Sequence, residues 1–434
     1  MAPVGTFDNL DPLPAQVATT RSTRYTEWLA STVPFIPPPA FTILKLMGDT
    51  KKLPSYIYLP PDAVERQAEL TRTGTYDLLP SEARWRERYD FLKKKGYRLR
   101  PRYHPKWKPS WTGTNLDPEF CEDSVMLLNP DVIDAVRERD GYLVAIKTVK
   151  KNGEELRLSQ LLSSLKHPSN HCVSVIDVLE DSFNPTMSLM VMQYLRPWND
   201  PELTMVGDVV DFVSQMLEGL AFLHSHRVAH RDIASLNVMM DGRSLYPEGH
   251  HPVWRGRSLD AIEDLVPLHR IDRSVKYFYV DFGLSVRFAP DAPTLVVGDV
   301  GRDAEVPELS STVPYDPFKA DIYALGNLFD KELAQVGIAL LARPTLLTGS
   351  SKKYHGLEFL RSLIDAMKRQ QPSLRPTADE LVALFQDTKK TLTPSSVRWR
   401  LGSKSEPAYE RLLYDTVAVA KDSFSQLRRF VRPT

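Results

Sequence analysis

The apolar residues change period at about Val206, and that change limits the possible folds more than any other feature of the chain. Upstream lie short, densely β-branched runs: SVMLL from Ser124, DVIDAVRE from Asp131, YLVAIKTV from Tyr142, CVSVIDVLE from Cys172 and MSLMVMQYL from Met187. Runs of this kind predict strands. Asp140-Gly141, between the second and third, is a hairpin signal because these residues accept the left-handed backbone of a tight turn. One helical pattern, GEELRLSQLLSSL from Gly153, interrupts the strands. Downstream, VGDVVDFVSQMLEGLAFLHSH opens a mainly helical half that reaches about Thr388. The order predicts a bilobal α+β fold, with a small antiparallel sheet and one helix followed by a larger, mainly α-helical lobe.

The chain divides accordingly. Residues 1–78, rich in Pro, Thr and Ser with a run at Pro37–Pro39, read as a partly disordered extension. Residues 79–119 hold a helix expected to start at an N-cap Ser81 and stop at Gly96, then a basic, aromatic arm, RLRPRYHPKWKPSW. Such an arm suits either nucleic acid or packing against a neighbouring lobe. A formal net charge of +0 favours packing, so no nucleic-acid partner is expected. Residues 120–195 form the small lobe, 196–387 the large lobe, and 388–434 a helical tail containing EPAYERLLYDTVAVAKDSFSQLRRF. With 434 residues, each unit can bury a core. The two cysteines, Cys121 and Cys172, are too few for a disulfide framework. The longest apolar stretch, Val336–Leu347, contains Arg343 and Pro344 and falls short of the ~18 residues of a membrane span. No secretory signal is apparent, and an intracellular location, cytoplasmic or nuclear, is expected without membrane association.

Three motifs carry chemistry: LVAIK ending at Lys147, HRDIASLN from His230 to Asn237, and YFYVDFGLS containing Asp281, Phe282 and Gly283. A lysine ending a strand run can neutralise phosphates that are not transferred. An Asp and an Asn can hold hard metal ions through oxygen, and a second Asp can accept a hydroxyl proton. Together these parts suit phosphoryl transfer, which depends on positioning and electrostatics.

In motif and order the chain resembles the eukaryotic protein kinases. The resemblance implies ATP and Mg²⁺ as cofactors and a protein as substrate. It implies that Lys147 contacts the α/β-phosphates, Asp232 is the catalytic base, and Asn237 and Asp281 bind Mg²⁺. Lys147 would pair with a helix acid, best Glu155 with Glu154 as the alternative. Met192 would be the gatekeeper, with Gln193 and Leu195 offering backbone groups to adenine. Pro307 and Glu308 in VPEL, Asp321 in DIYALG and Arg375 in QPSLRPTADEL match scaffold positions, Arg375 being the ion-pair partner of Glu308. More narrowly, GYRLRPRYHPKWKPSW, NHCV and HRDIASLNVMMD followed by LYPEGHHPV resemble kinase-domain proteins abundant in mushroom-forming fungi.

The chain also departs from the family. Between Asn115 and Asp140 it has no glycine, where the family has a glycine-rich phosphate loop. Ala234 stands where Ser/Thr kinases place lysine, and Leu236 where Tyr kinases place arginine. Arg157, Lys150 or an arginine of the 242–276 insert are candidate substitutes for that cation. The insert contains His250, His251 and His269 and reads as a surface excursion rather than a metal site. Gly301 replaces the usual threonine of the activation segment, in which Ser285 and Thr294 are hydroxyl candidates. A phosphate there would meet Arg231, although Asp299 and Asp303 could supply fixed charge. The expected function is an ATP- and Mg²⁺-dependent protein kinase, acting on Ser/Thr. The alternatives are a pseudokinase scaffold, favoured by the missing glycine loop and lysine, and a small-molecule kinase.

Overall fold

Alternate side chains of one strand face two different cores, and this sets the architecture of the small lobe. In β3 (Tyr142–Lys150), Val144 and Ile146 enter one apolar cluster, while Val149, of opposite parity, joins Leu156 and Met190 in another. The computed structural model describes residues 53–334, 354 and 356–402. The triple-proline run, Val336–Leu347 and the tail from 403 onward lie outside the described residues.

β3 is central in a five-stranded antiparallel sheet of order β1-β2-β3-β5-β4. The other strands are β1 (Tyr97–Arg98), β2 (Val132–Arg137), β4 (Val175–Glu180) and β5 (Met187–Gln193). Gly141, at φ 71°, closes the expected β2–β3 hairpin. The strand expected over SVMLL is not formed, and β1 takes the place beside β2 instead. Side chains claim the backbone of that run. Arg100 donates to Val125 O at 2.8 Å, and Glu82 accepts from Leu127 N at 3.1 Å.

The helix expected after an N-cap Ser81 is two helices, α2 (Pro80–Glu87) and α3 (Tyr89–Lys94), and begins two residues earlier, after Leu79. At the break, Arg88 turns its guanidinium onto buried Asp181, 2.6 Å away. Gly96, at φ 85°, ends α3 as expected. Trp85, Leu92, Tyr97 and Tyr103 are buried against Ile133, Ile146 and Leu189 of the sheet. The basic character of the arm is partly internal. Arg102 and Glu82 are both fully buried and pair at 3.0 Å, while Arg100 reaches Asp134 at 3.2 Å. The described part of the N-terminal extension lies against the same arm. Helix α1 (Pro61–Arg72) receives a hydrogen bond from Trp111 Nε1 at Thr71 Oγ1, and Tyr58 bridges to Leu116.

α4 (Glu154–Ser164) covers the other face of the sheet and sends Leu158 and Leu162 into the core of the large lobe. After the short strand β6 (Arg196–Pro197), that core is built on α5 (Val206–Ser225). Short antiparallel pieces β7 (Val228–Ala229), β8 (Val238–Met240), β9 (Tyr277–Tyr279) and β10 (Val286–Arg287) carry the loops between the lobes. β11 (Val296–Gly298) pairs with β12 (Ser310–Tyr315), and α6 (Pro317–Phe329), α7 (Arg361–Met367), α8 (Ala378–Lys390) and α9 (Pro394–Val397) follow. Asp316 caps α6 by accepting from Phe318 N at 2.9 Å. Removing it in Asp316→Ala is expected to cost about 1 kcal/mol, readable as a lower urea midpoint.

The 242–276 insert is not the expected surface excursion. His250 and His251 are buried together with Leu245, Tyr246 and Ala261. Tyr194 Oη donates to Pro252 O at 2.6 Å, Arg196 Nη1 to Arg255 O at 2.7 Å, and Arg255 pairs with Asp200 at 2.6 Å. Donors of the interlobe link, Tyr194 and Arg196, satisfy insert carbonyls, and insert Arg255 satisfies the Asp200 carboxylate, which ties the insert inward. Among the described residues no group of three or more His, Cys, Asp or Glu could hold a metal ion; His250 and His251 are buried, and His269 is exposed.

Candidate active site

Lys147 lies on the α4-facing side of β3. Its Nζ is 2.6 Å from Glu155 Oε1 and 2.8 Å from Asp281 Oδ1. Burial alone would lower the ammonium pKa, but the two carboxylates outweigh it and hold Lys147 above its ordinary value. Burial likewise works to raise Asp281, and the Lys147 charge overrides it, leaving the carboxyl below its ordinary value. Both groups are therefore charged at neutral pH. Glu155, in the first turn of α4, is the acid that reaches the lysine, while Glu154 is exposed.

The loop between β7 and β8 carries Asp232 and Asn237. Its shape is imposed from below by Asp321 of α6, 1% exposed, whose carboxylate accepts the N–H groups of His230 and Arg231 at 2.7 Å each. Those bonds hold Arg231 at φ 66°, a left-handed conformation unfavourable for a non-glycine residue, and Asp281 at φ 64° shares it. Burial pushes the His230 imidazole below its ordinary pKa and keeps the ring neutral. The neutral tautomer with the proton on Nε2 then fits both contacts: Nε2 donates to Val280 O at 3.1 Å, and Nδ1 accepts from Asp232 N at 3.3 Å.

Asn237 Nδ2 donates to Asp232 Oδ2 at 2.7 Å and to its carbonyl at 2.8 Å, fixing the carboxylate. Val238 of β8 stands opposite Tyr279 of β9, and Val280 N donates to Asn237 O at 3.0 Å. Asn237 and Asp281 thus leave the same end of one hairpin. Among the described residues, no protein donor reaches Asn237 Oδ1 or Asp281 Oδ2. Two oxygens left open in this way suit a hard cation such as Mg²⁺.

Gln193 and Leu195 lie on the link between the lobes. Gln193 N donates to Ser174 O at 3.1 Å and its amide to Asp241 Oδ2 at 3.1 Å, while Leu195 is half-buried against the large-lobe core. The residues that lead into β2, where the phosphate loop was missed, are tied to α2. Pro130 O accepts from Trp85 Nε1 at 3.0 Å and from Arg84, which also pairs with Asp131 at 2.8 Å.

None of the candidate substitutes for the missing cation reaches Asp232. Lys150 and Arg157 are exposed elsewhere. Of the insert arginines, Arg243, Arg255 and Arg257 pair with Asp241, Asp200 and Glu119, Arg270 is buried and donates to Tyr277 Oη, and Arg273 is exposed. Arg302, which the sequence reading passed over, does reach it. Its N–H donates to Asp232 Oδ1 at 2.7 Å, and its guanidinium Nε is 3.5 Å from Oδ2. The available signal was an arginine directly after Gly301, the position of the lost threonine. Arg231, expected to await a phosphate, instead donates to the carbonyls of Leu284 and Val297 at 3.3 and 3.2 Å. Buried Arg375 grips Glu308 through both nitrogens, as the motif order implied.

A family description, protein kinase domain, matches residues 130–384, more than half of the chain. The chain belongs to the protein kinase family. The bilobal α+β architecture is that of a kinase domain. The kinase is 26% identical to sperm motility kinase Z of Mus musculus over 267 residues, covering 58% of this chain and 47% of that protein. It is 27% identical to the tyrosine-protein kinase FRK of Homo sapiens over 142 residues, covering 31% of this chain and 28% of the relative. The chain thus spans less than half the length of both curated relatives. No helix among the described residues is long and apolar enough to cross a membrane.

Proposed function

We propose that the kinase transfers the γ-phosphoryl group of ATP, with Mg²⁺, to a hydroxyl of a protein substrate. The observation that carries this reading is the joined pair of contacts in one cleft: Lys147 with Glu155 and Asp281, and Asp232 with Asn237. In this reading Lys147 holds the α/β-phosphates, and Gln193 and Leu195 present backbone groups to adenine. Asn237 and Asp281 hold Mg²⁺, which supplies charge neutralisation across the phosphates. Asp232, oriented by Asn237, takes the proton of the acceptor hydroxyl as its oxygen attacks phosphorus. The acceptor proposed is Ser or Thr, although Ala234 and Leu236 carry neither the lysine of Ser/Thr kinases nor the arginine of Tyr kinases, so the catalytic loop itself does not choose between them. The narrower likeness to kinase-domain proteins of mushroom-forming fungi, and an intracellular site of action, belong to the same proposal.

The competing reading is a scaffold without transfer, favoured by the glycine-free entry to β2 and its attachment to α2. Glycines there would let backbone N–H groups approach phosphate, and this segment replaces them. Mg²⁺–ATP at one hundred times its dissociation constant is expected to stabilise the protein by about 2.7 kcal/mol, seen as a raised melting temperature. Lys147→Ala is expected to remove most of that shift. A wild-type melting curve indifferent to Mg²⁺–ATP rules the kinase proposal out. Binding without transfer to any protein acceptor selects the scaffold.

A further inference from the structure

Both usual arrangements for neutralising the transferred phosphoryl group place a cation on the catalytic loop, and Ala234 and Leu236 leave this loop without one. Charge still arrives at Asp232, but from the activation segment. We propose that Arg302 is that cation, a catalytic residue whose guanidinium faces the phosphoryl group as it passes to a hydroxyl held by Asp232. This inference rests on the kinase reading above.

The position of Arg302 is built. On its C-terminal side, Asp303 turns inward and accepts from Asn327 Nδ2 of α6 at 2.7 Å, with Lys331 Nζ at 3.4 Å. On its N-terminal side, Gly298 O accepts from Tyr315 Oη at 2.7 Å. Gly301 crosses the catalytic loop so closely that a Cβ on it would come 3.3 Å from Arg231 O. A β-carbon there would require the loop or the segment to give by a few tenths of an ångström, and the next backbone N–H reaches Asp232 Oδ1 at 2.7 Å. That backbone bond fixes the segment, while the Arg302 side chain remains 48% exposed, with its Nε 3.5 Å from Oδ2.

The step is an in-line displacement. The bond from the γ-phosphorus to the bridging oxygen breaks, and ADP keeps that electron pair. The bond from the acceptor oxygen to phosphorus forms, and the acceptor proton passes to Asp232. Arg302 keeps its own proton, and its charge offsets that on the phosphoryl oxygens.

The backbone donor survives substitution of the side chain, so Arg302→Ala removes the charge and leaves the segment anchored. Transfer of ³²P from ATP to dephosphorylated casein and to the chain itself, together with calorimetric titration of Mg²⁺–ATP and Mg²⁺–ADP, would be compared in four proteins. These are the wild type, Arg302→Ala, Arg302→Lys and the double variant Arg302→Ala with Ala234→Lys. Arg302→Ala is expected to lower kcat by about 10²-fold, to weaken ATP binding and to leave ADP binding unchanged. Arg302→Lys should lose less. Ala234→Lys should restore at least a tenth of the lost rate by returning a cation to the loop, which a merely structural role for Arg302 does not allow. Wild-type or faster transfer by Arg302→Ala overturns the proposal and makes Arg302 a plug on the base. So does a double variant that melts like the wild type yet stays as slow as the single one. If the wild type neither binds ATP nor transfers phosphate, the kinase reading fails and this assignment falls with it. An active wild type with an indifferent Arg302→Ala sinks this assignment alone.

Discussion

Asp232→Asn is expected to cut phosphoryl transfer by about 10²–10⁴-fold while Mg²⁺–ATP still raises the melting temperature as in the parent. The N–H of Arg302 and the amide of Asn237 are at present 2.7 Å from different carboxylate oxygens. The asparagine keeps the shape of the side chain, but its single amide oxygen can accept only one of these two donors, and the other then faces its NH2. It cannot take a proton from a hydroxyl. The neighbouring loop should not move, since its backbone is held by Asp321 and not by Asp232. The measurement is the single-turnover rate beside a nucleotide thermal shift. Transfer that survives the substitution at the parental rate would remove Asp232 from the chemistry. Loss of both transfer and nucleotide binding would show that Asp232 shapes the cleft instead.

Legibility in the sequence followed the range of the interaction. β3 and the β2–β3 hairpin were readable because alternation and Asp140-Gly141 act within a few residues. The resemblance implied that Lys147 pairs with an acid at the start of α4 but left Glu154 beside Glu155. Adjacent residues of a first turn are told apart only by the direction in which the folded helix turns them to the sheet. SVMLL misled because its β-branched, apolar composition says nothing about who will take its backbone bonds. Arg100 and Glu82, 25 and 45 residues away from their acceptor and donor, took two of them. The insert misled for a similar reason. Its polar composition looks solvated, yet its groups close against Tyr194, Arg196 and Asp200. Arg302 was hidden because Asp232 lies 70 residues before it, and only the folded activation segment brings them together.

The other large effect expected lies far from the chemistry. Glu82→Ala should destabilise the protein by about 3–5 kcal/mol, because it strands a buried guanidinium. Each carboxylate oxygen is engaged. Oε1 accepts from Arg102 Nε at 3.1 Å, Tyr103 Oη at 3.0 Å and Leu127 N at 3.1 Å, and Oε2 from Arg102 Nη2 at 3.0 Å and Leu79 N at 2.9 Å. One side chain therefore joins α2, the arm and the segment entering β2. Burial works to raise the Glu82 pKa, but Arg102 and the two backbone N–H groups outweigh it, leaving the carboxyl below its ordinary 4.5. A depressed folded-state value means that the stabilisation is complete above the unfolded pKa and is lost as pH falls through the folded one. The gap between wild type and Glu82→Gln, measured by urea melts, should thus be widest at neutral pH and narrow below about 4.5. Arg72 with Glu65 serves as the control, being 63% and 84% exposed, and Glu65→Ala should cost no more than about 1 kcal/mol. Because Glu82 also holds Leu127, its loss should free the residues leading into β2. Amide exchange at Leu127 accelerated more in Glu82→Ala than exchange in α8 would show that the arm holds the residues leading into β2 beyond its contribution to global stability. Uniform acceleration across both lobes would instead make Glu82 a determinant of global stability alone.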